Sequence, residues 1–474
     1  MKMDKAMLDD DLKHLHEKTL DILDNKGIQI KDDEILDSLE ERGVPCDRSE
    51  YMVRFSPAMV EEAIKNAPEE VKLGAPDPEL VLNLKTNTRL KFMASGTGAF
   101  AIDTQTHKRR PSTEADVIQM VKLQQSIKTV DVARPVFTAT DNPPQFADLI
   151  EFKNGLMYSQ KHLHHRTISS KNNKPLLDML EVISGSKAEI RNNPLISVNC
   201  CPMSPLVISA DTARSMLQFS EAGIPVKVLS MAIGGASTPA SIFGTALATN
   251  VEIVGAIALI QTVNPGAPVL YSSVSSVIDM KTSILAVGAP ERSIINRLLA
   301  RLATSYYRIP CVMGGLSTDS KYMDFQCGFE KAITTLPLLD YTNMVSGMAL
   351  LNSASTYSVE QLIYDAEIAE AMKKYKLNEN LSDGNEECEL IKKVGPMGHF
   401  LLEDHTAEHF RDFWQPAFMN RTCGFSPDEE YAYISDKMNA NLASYDETVC
   451  ECNLDEKTLA EIKNIYEVHC DKNT

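Results

Sequence analysis

The sequence of 474 residues predicts an α/β fold, a (β/α)8 TIM barrel with helical additions at both ends. Apolar, β-branched runs alternate with helical stretches, which is typical of a parallel sheet buried on both faces. No Gly-x-Gly-x-x-Gly follows the first run, so a dinucleotide-binding open sheet is disfavoured. Polar and glycine residues cluster where the runs end, as at His164, Asn199 and Gly314. In a barrel these ends meet at one mouth, where active sites lie.

The apolar runs predict the strands of the barrel. Two of them, 90–95 and 100–102, surround the turn Gly96-Thr97-Gly98. The others share length and β-branched content and are 130–137, 163–169, 195–201, 226–231, 269–274, 309–314 and 343–347. Helical stretches between them are 145–159, 175–184, 209–221, 240–262, 291–307 and 328–340. An open doubly wound sheet remains the alternative, and the pattern does not locate the eighth strand.

The periodicity of the apolar residues changes along the chain and divides it into three segments. Residues 1–88 predict a helical lead-in, with Gly43 as a C-cap and Ser56-Pro57 at a helix start. Residues 89–375 predict the barrel, which is the catalytic domain. Residues 376–474 become polar again and predict a helical extension.

The composition excludes several classes of partner. The chain has 47 basic and 65 acidic residues, a formal charge of −18, which repels nucleic acid and anionic membranes. No apolar run suits a membrane helix, and the charged N-terminus argues against export. Ten cysteines without regular pairing suit a reducing compartment, so we expect a cytoplasmic protein. Barrels often pair through surface helices, so a homo-oligomer is possible.

The densest polar group in a predicted strand is Lys161-His162-Leu163-His164-His165-Arg166. Alternate residues of a strand share a face, so His162 and His164 point one way and His165 the other. One of these two sets of histidines should face the lumen, near the mouth. The alternative is a structural histidine that is hydrogen-bonded to neighbouring strands. No carboxylate is clearly offered as a further ligand, so we predict no metal site.

His405 and His409, one helical turn apart, lack the glutamate that a zinc protease helix carries after its first histidine. Tyr271 ends a strand, and Phe100, Phe137 and Tyr341 lie near others. Aromatic faces can hold a quaternary ammonium ion, although each of these rings is more often a core residue.

Several motifs, in order along nearly the whole chain, resemble the trimethylamine methyltransferase family. They are Lys26-Gly27-Ile28, Arg109-Arg110-Pro111-Ser112-Thr113, Ala289-Pro290-Glu291, Gly314-Gly315 with Thr318-Asp319-Ser320-Lys321, Gly328-Phe329-Glu330-Lys331, and His399-Phe400-Leu401 with Trp414-Gln415-Pro416. The resemblance implies a (β/α)8 barrel that moves a methyl group from an amine to the cobalt of a separate corrinoid protein, as in anaerobic one-carbon metabolism.

The founding members act on trimethylamine and carry pyrrolysine, whereas this chain has only standard residues. It therefore resembles the branch that includes glycine betaine methyltransferase. The resemblance implies a quaternary amine substrate (glycine betaine, proline betaine, carnitine or γ-butyrobetaine), a corrinoid protein as partner, and no tightly bound cofactor. A quaternary nitrogen leaves as a neutral tertiary amine, so no proton is needed.

On this hypothesis the mouth residues bind the substrate. A betaine carboxylate would use His164, His165 or Arg166, and an aromatic or acidic environment would hold the ammonium. The substrate-binding candidates are His164, His165, Arg166, Asn199, Tyr271, Gln326, Glu330 and Gly347. No catalytic residue is assigned. Two alternatives stay open: an unrelated lyase or aldolase using a mouth histidine or Lys161, and a barrel that binds a ligand without catalysis.

Overall fold

A computed structural model describes residues 5–85, 90–377, 383–417 and 452–473, with residues 419, 421, 440 and 443. The helices in chain order are α1 Lys5–Asn25, α2 Asp33–Glu40, α3 Pro57–Asn66, α4 Glu114–Ser126, α5 Ala147–Tyr158, α6 Asn173–Ser184, α7 Lys187–Asn192, α8 Ala210–Glu221, α9 Ile242–Val263, α10 Pro290–Arg301, α11 Phe325–Thr335, α12 Val359–Leu377, α13 Asn385–Val394, α14 Asp404–His409 and α15 Glu456–Asn473. A π-helical turn, Leu302–Tyr307, continues α10.

The strands alternate with these helices through the middle of the chain. In chain order they are β1 Ile28–Ile30, β2 Cys46–Asp47, β3 Met52–Val53, β4 Glu70–Leu73, β5 Leu82–Lys85, β6 Lys91–Ala94, β7 Phe100–Ile102, β8 Arg109–Pro111, β9 Leu163–Arg166, β10 Ile196–Cys200, β11 Val207–Ile208, β12 Val226–Ser230, β13 Ile233–Gly234, β14 Val269–Ser273, β15 Ser276–Asp279, β16 Ile284–Ala286, β17 Cys311–Gly314, β18 Met344–Met348, β19 Leu350–Leu351 and β20 Thr356–Tyr357.

Seven parallel strands form the central sheet, in the order β6-β18-β17-β14-β12-β10-β9. All five residues of β10 are buried, and so are all five of β14, because helices cover the outer face and side chains fill the inner one. The sheet curls. The predicted α/β fold with a parallel sheet is therefore confirmed.

Residues 130–137, a predicted strand, contact both edges of this sheet through single bridges. Met93 bridges Val132, and Ala133 bridges Leu163, both in parallel. No continuous ladder forms here, because the Gln124 side chain accepts from the Arg134 amide and donates to its carbonyl. Pro135 adds a residue without an N–H group.

The two strands predicted around Gly96 are present as β6 and β7, and they belong to different sheets. β6 joins the central sheet beside β18, while β7 pairs with β8 and β20. The Tyr357 ring packs against Gly96 and Gly98, where any added Cβ would collide with it. The turn is therefore wrapped around an aromatic ring.

The N-terminal segment contains the predicted helices and also short strands. Ser56 caps α3 by accepting from the Met59 amide, as its sequence position predicts. β1 pairs with β11, which ties the segment to the loop after β10. The β4–β5 hairpin lies under the central sheet, and its Val71, Leu73 and Leu84 are buried there.

The helix α9 is the only one among the described residues that is long and apolar enough to cross a membrane. It is a core helix here, since 72% of its most apolar window is buried. Of the C-terminal segment, α13 and α14 bury no residue. The helix α15 packs on α6, with its His469 bonded to Asn172.

Candidate functional site

The inner face of the curled sheet is apolar at one end. Met93, Val132, Leu270, Val312 and Met344 form one buried cluster with the hairpin residues Val71, Leu73 and Leu84. Leu270, Val312 and Met344 are the first or second residues of their strands, so the cluster closes the amino-terminal end. We call the space on the concave side of the curled sheet the lumen, and it is a packed core at this end.

Polar side chains follow toward the carboxyl ends of the strands. By the alternation of strand residues, the inward positions above the apolar cluster are Ser95, Arg134, His164, Arg166, Ser197, Asn199, Cys201, Lys227, Ser272 and Ser346. Three of these are basic residues and none is acidic. The mouth end of the lumen is therefore positive although the whole chain is acidic.

Among the described residues the three basic side chains have no hydrogen-bonded acidic partner, although the Glu151 carboxyl attracts Arg134 and Arg166 from the outer face. Arg134 is 6% exposed, and within the described chain its guanidinium makes no hydrogen bond or ion pair. Burial lowers its pKa to about 10. Arg166 donates only to the hydroxyl of Thr97, at 2.8 Å. Burial also lowers the pKa of Lys227 well below its ordinary value. Buried charges are normally paired, so this arrangement is typical of a binding site for an anion.

Two histidines and a serine form a relay beside these cations. The Gly74 carbonyl must accept from His162 Nδ1, at 2.8 Å, because it has no proton to donate. Burial lowers the pKa of His162 to about 4, so the ring is neutral and its Nε2 accepts from the Ser197 hydroxyl. Ser197 Oγ then accepts from His164 Nδ1. His164 Nε2 is left as an unpartnered acceptor, a proton position assigned from this network.

A cavity of about 150 Å³ opens at the mouth beside Arg166, Asn199 and Cys201, and Asp211 of α8 also lines it. The Asn199 amide donates to Cys201 Sγ at 3.0 Å. Cys201 is an exposed residue, yet burial raises the pKa of its thiol. The thiol therefore borders this cavity and is otherwise surrounded by protein atoms. Arg166 and Asn199, two predicted site residues, thus share one pocket.

His165 and Tyr271 lie on the opposite face of the sheet from this group. His165 is bonded to Glu151 of α5, at 2.5 Å, and Tyr271 donates to Asn250 of α9, at 2.8 Å. Both side chains are fully buried between strands and helices. The expectation that they bind substrate is corrected on this geometry, because neither side chain reaches the lumen.

Gln326, Glu330 and Gly347 organise the backbone near the mouth. Glu330 accepts from the Thr318 hydroxyl and from the Asp319 amide, and Gln326 donates to its other oxygen at 2.9 Å. Gly347 has φ +150°, and an added Cβ would collide with the Gly315 carbonyl. These contacts hold the loops after β17 and β18, and the oxygens of Glu330 are already occupied.

Lys161, the lysine of the lyase alternative, also lies outside the lumen. Its Nζ donates to the carbonyls of Gln124 and Ile127. Tyr341 stacks with Arg297 and Arg301 before β18 begins, at the end remote from the mouth. Among the residues described, no three His, Cys, Asp or Glu side chains converge as a metal site.

The structure adds Arg134, Lys227 and Tyr357, which sequence reasoning missed. Lys227 is a charged residue within an apolar strand, Val226-Lys227-Val228-Leu229, and this conflict with a buried sheet was the available signal. Arg134 gives the same signal in Val132-Ala133-Arg134-Pro135. Tyr357 belongs to the short strand β20, and only folding brings it near Arg134.

Exposed apolar side chains surround the mouth. They follow the carboxyl ends of four strands and are Met203, Met231, Met280, Ile284, Tyr322, Phe325 and Phe329. Phe325 is 87% exposed and stacks on Phe329 with ring centroids 6.1 Å apart. We call this set the mouth rim.

Residues 2–426 match the model of the trimethylamine methyltransferase (MTTB) family. The chain belongs to this family. It is 33% identical over 418 residues to trimethylamine methyltransferase MttB of Desulfitobacterium hafniense (strain DSM 10664 / DCB-2), covering 87% of this chain and 83% of that protein. It is 28% identical over 421 residues to glycine betaine methyltransferase of Desulfitobacterium hafniense (strain Y51), covering 88% and 87%.

The family match confirms the resemblance found in the sequence motifs, and with it the expectation of a methyltransferase. A solved structure, the monomethylamine methyltransferase (MtmB) of Methanosarcina barkeri, is similar in fold. Its TM-score is 0.50 at 14% identity, and the alignment covers 92% of each chain. The likeness extends over nearly the whole chain, the additions to the central sheet included.

Proposed function

We propose that this methyltransferase demethylates a betaine, a quaternary amine that carries a carboxylate, and passes the methyl group to the cobalt of a corrinoid protein. The observation that carries the substrate class is the set of three basic side chains Arg134, Arg166 and Lys227, none of which is hydrogen-bonded to a carboxylate. An arginine can bind a carboxylate through two parallel hydrogen bonds. The same cations would repel protonated trimethylamine, which has no carboxylate to offset its charge.

We infer that the curled sheet is a closed (β/α)8 barrel over residues 89–375, with the segments 1–88 and 376–474 added to it. Residues 130–137 would be the missing strand between β6 and β9. The bridges at Val132 and Ala133 support this arrangement, as do the bonds from Asp131 N to Phe92 O and from Ala133 N to His162 O. Closure would seal the lumen on its sides and leave the mouth as the entrance.

The reaction makes small demands on acid–base groups. When the methyl carbon leaves a quaternary nitrogen, the electron pair of that bond stays on the nitrogen and a neutral tertiary amine departs. No proton moves. The tasks of the protein are to bind, to exclude water and to aim the methyl group toward the mouth. Anchoring the carboxylate at Arg134 and Lys227 would direct the other end of a betaine toward the acceptor.

The acceptor would approach at the mouth rim. A corrinoid carried on a separate protein needs an exposed, partly apolar surface around the opening, and Phe325 and Phe329 provide one. Among the described residues nothing is arranged as a resident metal site. We place the reaction in the cytoplasm, with a possible homo-oligomer as the working assembly.

The test is methyl transfer to free cob(I)alamin, followed by the absorbance of methylcobalamin. Glycine betaine, proline betaine, carnitine and γ-butyrobetaine are compared with trimethylamine and tetramethylammonium. Tetramethylammonium is the matched control, since it has the same quaternary nitrogen without a carboxylate. We expect turnover of at least one betaine and of neither control. Equal turnover of tetramethylammonium would refute carboxylate recognition, and turnover of trimethylamine alone would refute the substrate class.

A further inference from the structure

Lys227 brings an amino group into the lumen without a partner. Its side chain is 1% exposed, and in the part of the chain that the structure describes its Nζ makes no hydrogen bond or ion pair. Its register partners are Asn199 on β10 and Leu270 on β14, both uncharged. A buried ammonium without a counterion carries a desolvation penalty that nothing in its surroundings offsets.

The ionisable groups that face Lys227 increase this cost. Arg134 is the neighbouring cation of residues 130–137, and Arg166 lies beyond it on β9. His164 of β9 is neutral, because burial and then Lys227 itself keep its pKa well below the ordinary value. Cys201, directly after β10, is a protonated thiol because burial raises its pKa. On the β14 side, Leu270 and Ser272 do not ionise. No anion among these groups offsets an ammonium.

We propose that Lys227 is a proton-linked carboxylate anchor: a neutral amine in the substrate-free enzyme that takes up a proton from solvent when the substrate carboxylate binds. The inference rests on the proposed function, because it requires a substrate with a carboxylate. Arginine keeps its charge at every accessible pH, whereas a buried lysine can lose it. Arg134 and Arg166 would thus be permanent attractors of the carboxylate, and Lys227 the group that responds to it.

Proton binding to Lys227 and substrate binding are thermodynamically linked, and this linkage fixes how substrate affinity depends on pH. Because the bound carboxylate raises the pKa of Lys227 above its value in the free enzyme, binding consumes a proton. Substrate affinity therefore rises as the pH falls through the interval between those two pKa values, by up to about tenfold per pH unit.

The experiment is calorimetric titration of the full chain with glycine betaine, carnitine and acetate at pH 7.5. Each titration is made in phosphate, HEPES and Tris, whose ionisation enthalpies differ. The slope of the observed enthalpy against buffer ionisation enthalpy gives the protons taken up. We expect about one proton per bound carboxylate for the wild type. For Lys227→Met we expect no uptake and an affinity at least about tenfold weaker.

Two further variants separate Lys227 from its neighbours. Lys227→Arg should bind without proton uptake, since a guanidinium is already charged, and it covers the case in which Lys227→Met does not fold. His164→Asn should keep the uptake. Binding without uptake in the wild type, or uptake that survives Lys227→Met but disappears in His164→Asn, would overturn the role of Lys227. Absence of binding by all three carboxylates would overturn the anchor, whereas the substrate class is overturned only if none of the four betaines is turned over.

Discussion

The two faces of the central sheet treat buried polar groups in opposite ways. On the outer face, His165 is bonded to Glu151, Tyr271 to Asn250, and Ser230 to Glu252. On the inner face, Arg134 and Lys227 are equally buried and have no such partner. A polar group that stabilises a fold is satisfied within it. The inner basic side chains without hydrogen-bonded partners therefore point to a ligand, while the outer pairs serve the structure.

The largest effect should come from breaking a buried ion pair outside the lumen. Lys331 of α11 is bonded to Asp365 of α12 at 2.8 Å, and both side chains are fully buried. Lys331→Met leaves the Asp365 carboxylate without its cation, so we expect the free energy of unfolding to fall by about 3–5 kcal/mol. Chemical denaturation measures it. The double variant Lys331→Met/Asp365→Leu should recover much of the loss, and no recovery would contradict this account.

Replacing a basic residue on the inner face, as in Arg134→Met, should not lower the melting temperature but should lower betaine turnover. In Arg134→Met the lost charge had no partner, so we expect an unchanged or raised melting temperature. Betaine turnover should fall about 100-fold, equivalent to about 2.7 kcal/mol of lost binding to the carboxylate. Methyl transfer to cob(I)alamin and thermal unfolding are measured on the same preparation. A large fall in melting temperature would mean that Arg134 is structural.

The outer pair of Glu151 and His165 should add a pH dependence to stability. Burial raises the pKa of Glu151 to about 7, above its ordinary value, so the folded chain holds the proton more tightly than the unfolded chain. Its contribution is complete below the unfolded pKa and is lost as the pH rises through about 7. Between pH 5 and 8 the free energy of unfolding should therefore decrease less in Glu151→Gln than in the wild type, by roughly 1–3 kcal/mol. Identical pH profiles of wild type and variant would contradict it.

The smallest expected effect comes from comparing neighbouring residues of β14 that lie on opposite faces of the sheet. Tyr271→Phe removes the hydroxyl that donates to Asn250, so we expect a loss of stability of about 1 kcal/mol. Turnover should stay at the wild-type level, because the ring faces α9 and not the lumen. Ser272→Ala, the next residue and on the inner face, is the comparison. A fall in activity for Tyr271→Phe alone would reverse the assignment of faces.

Much of the fold could be predicted from the chain because its signals are local. Strand and helix periods, the Ser56 cap and the apolar runs all depend on neighbouring residues, and the predicted strand at 226–231 became β12. The strand at 130–137 could not be predicted in detail. Whether its amides join a ladder depends on Gln124, whose side chain takes the bonds of Arg134.

The candidate site was less predictable, for a physical reason. Strand alternation already separated His164 from His165, but only packing against α5 decides which of the two faces outward. The sequence by itself determined the alternating α/β pattern, the family motifs and the presence of charges within apolar strands. The tertiary structure decided which charges remain unpaired, because a partner such as Glu151, Asn250 or Asp365 comes from an element distant in the chain.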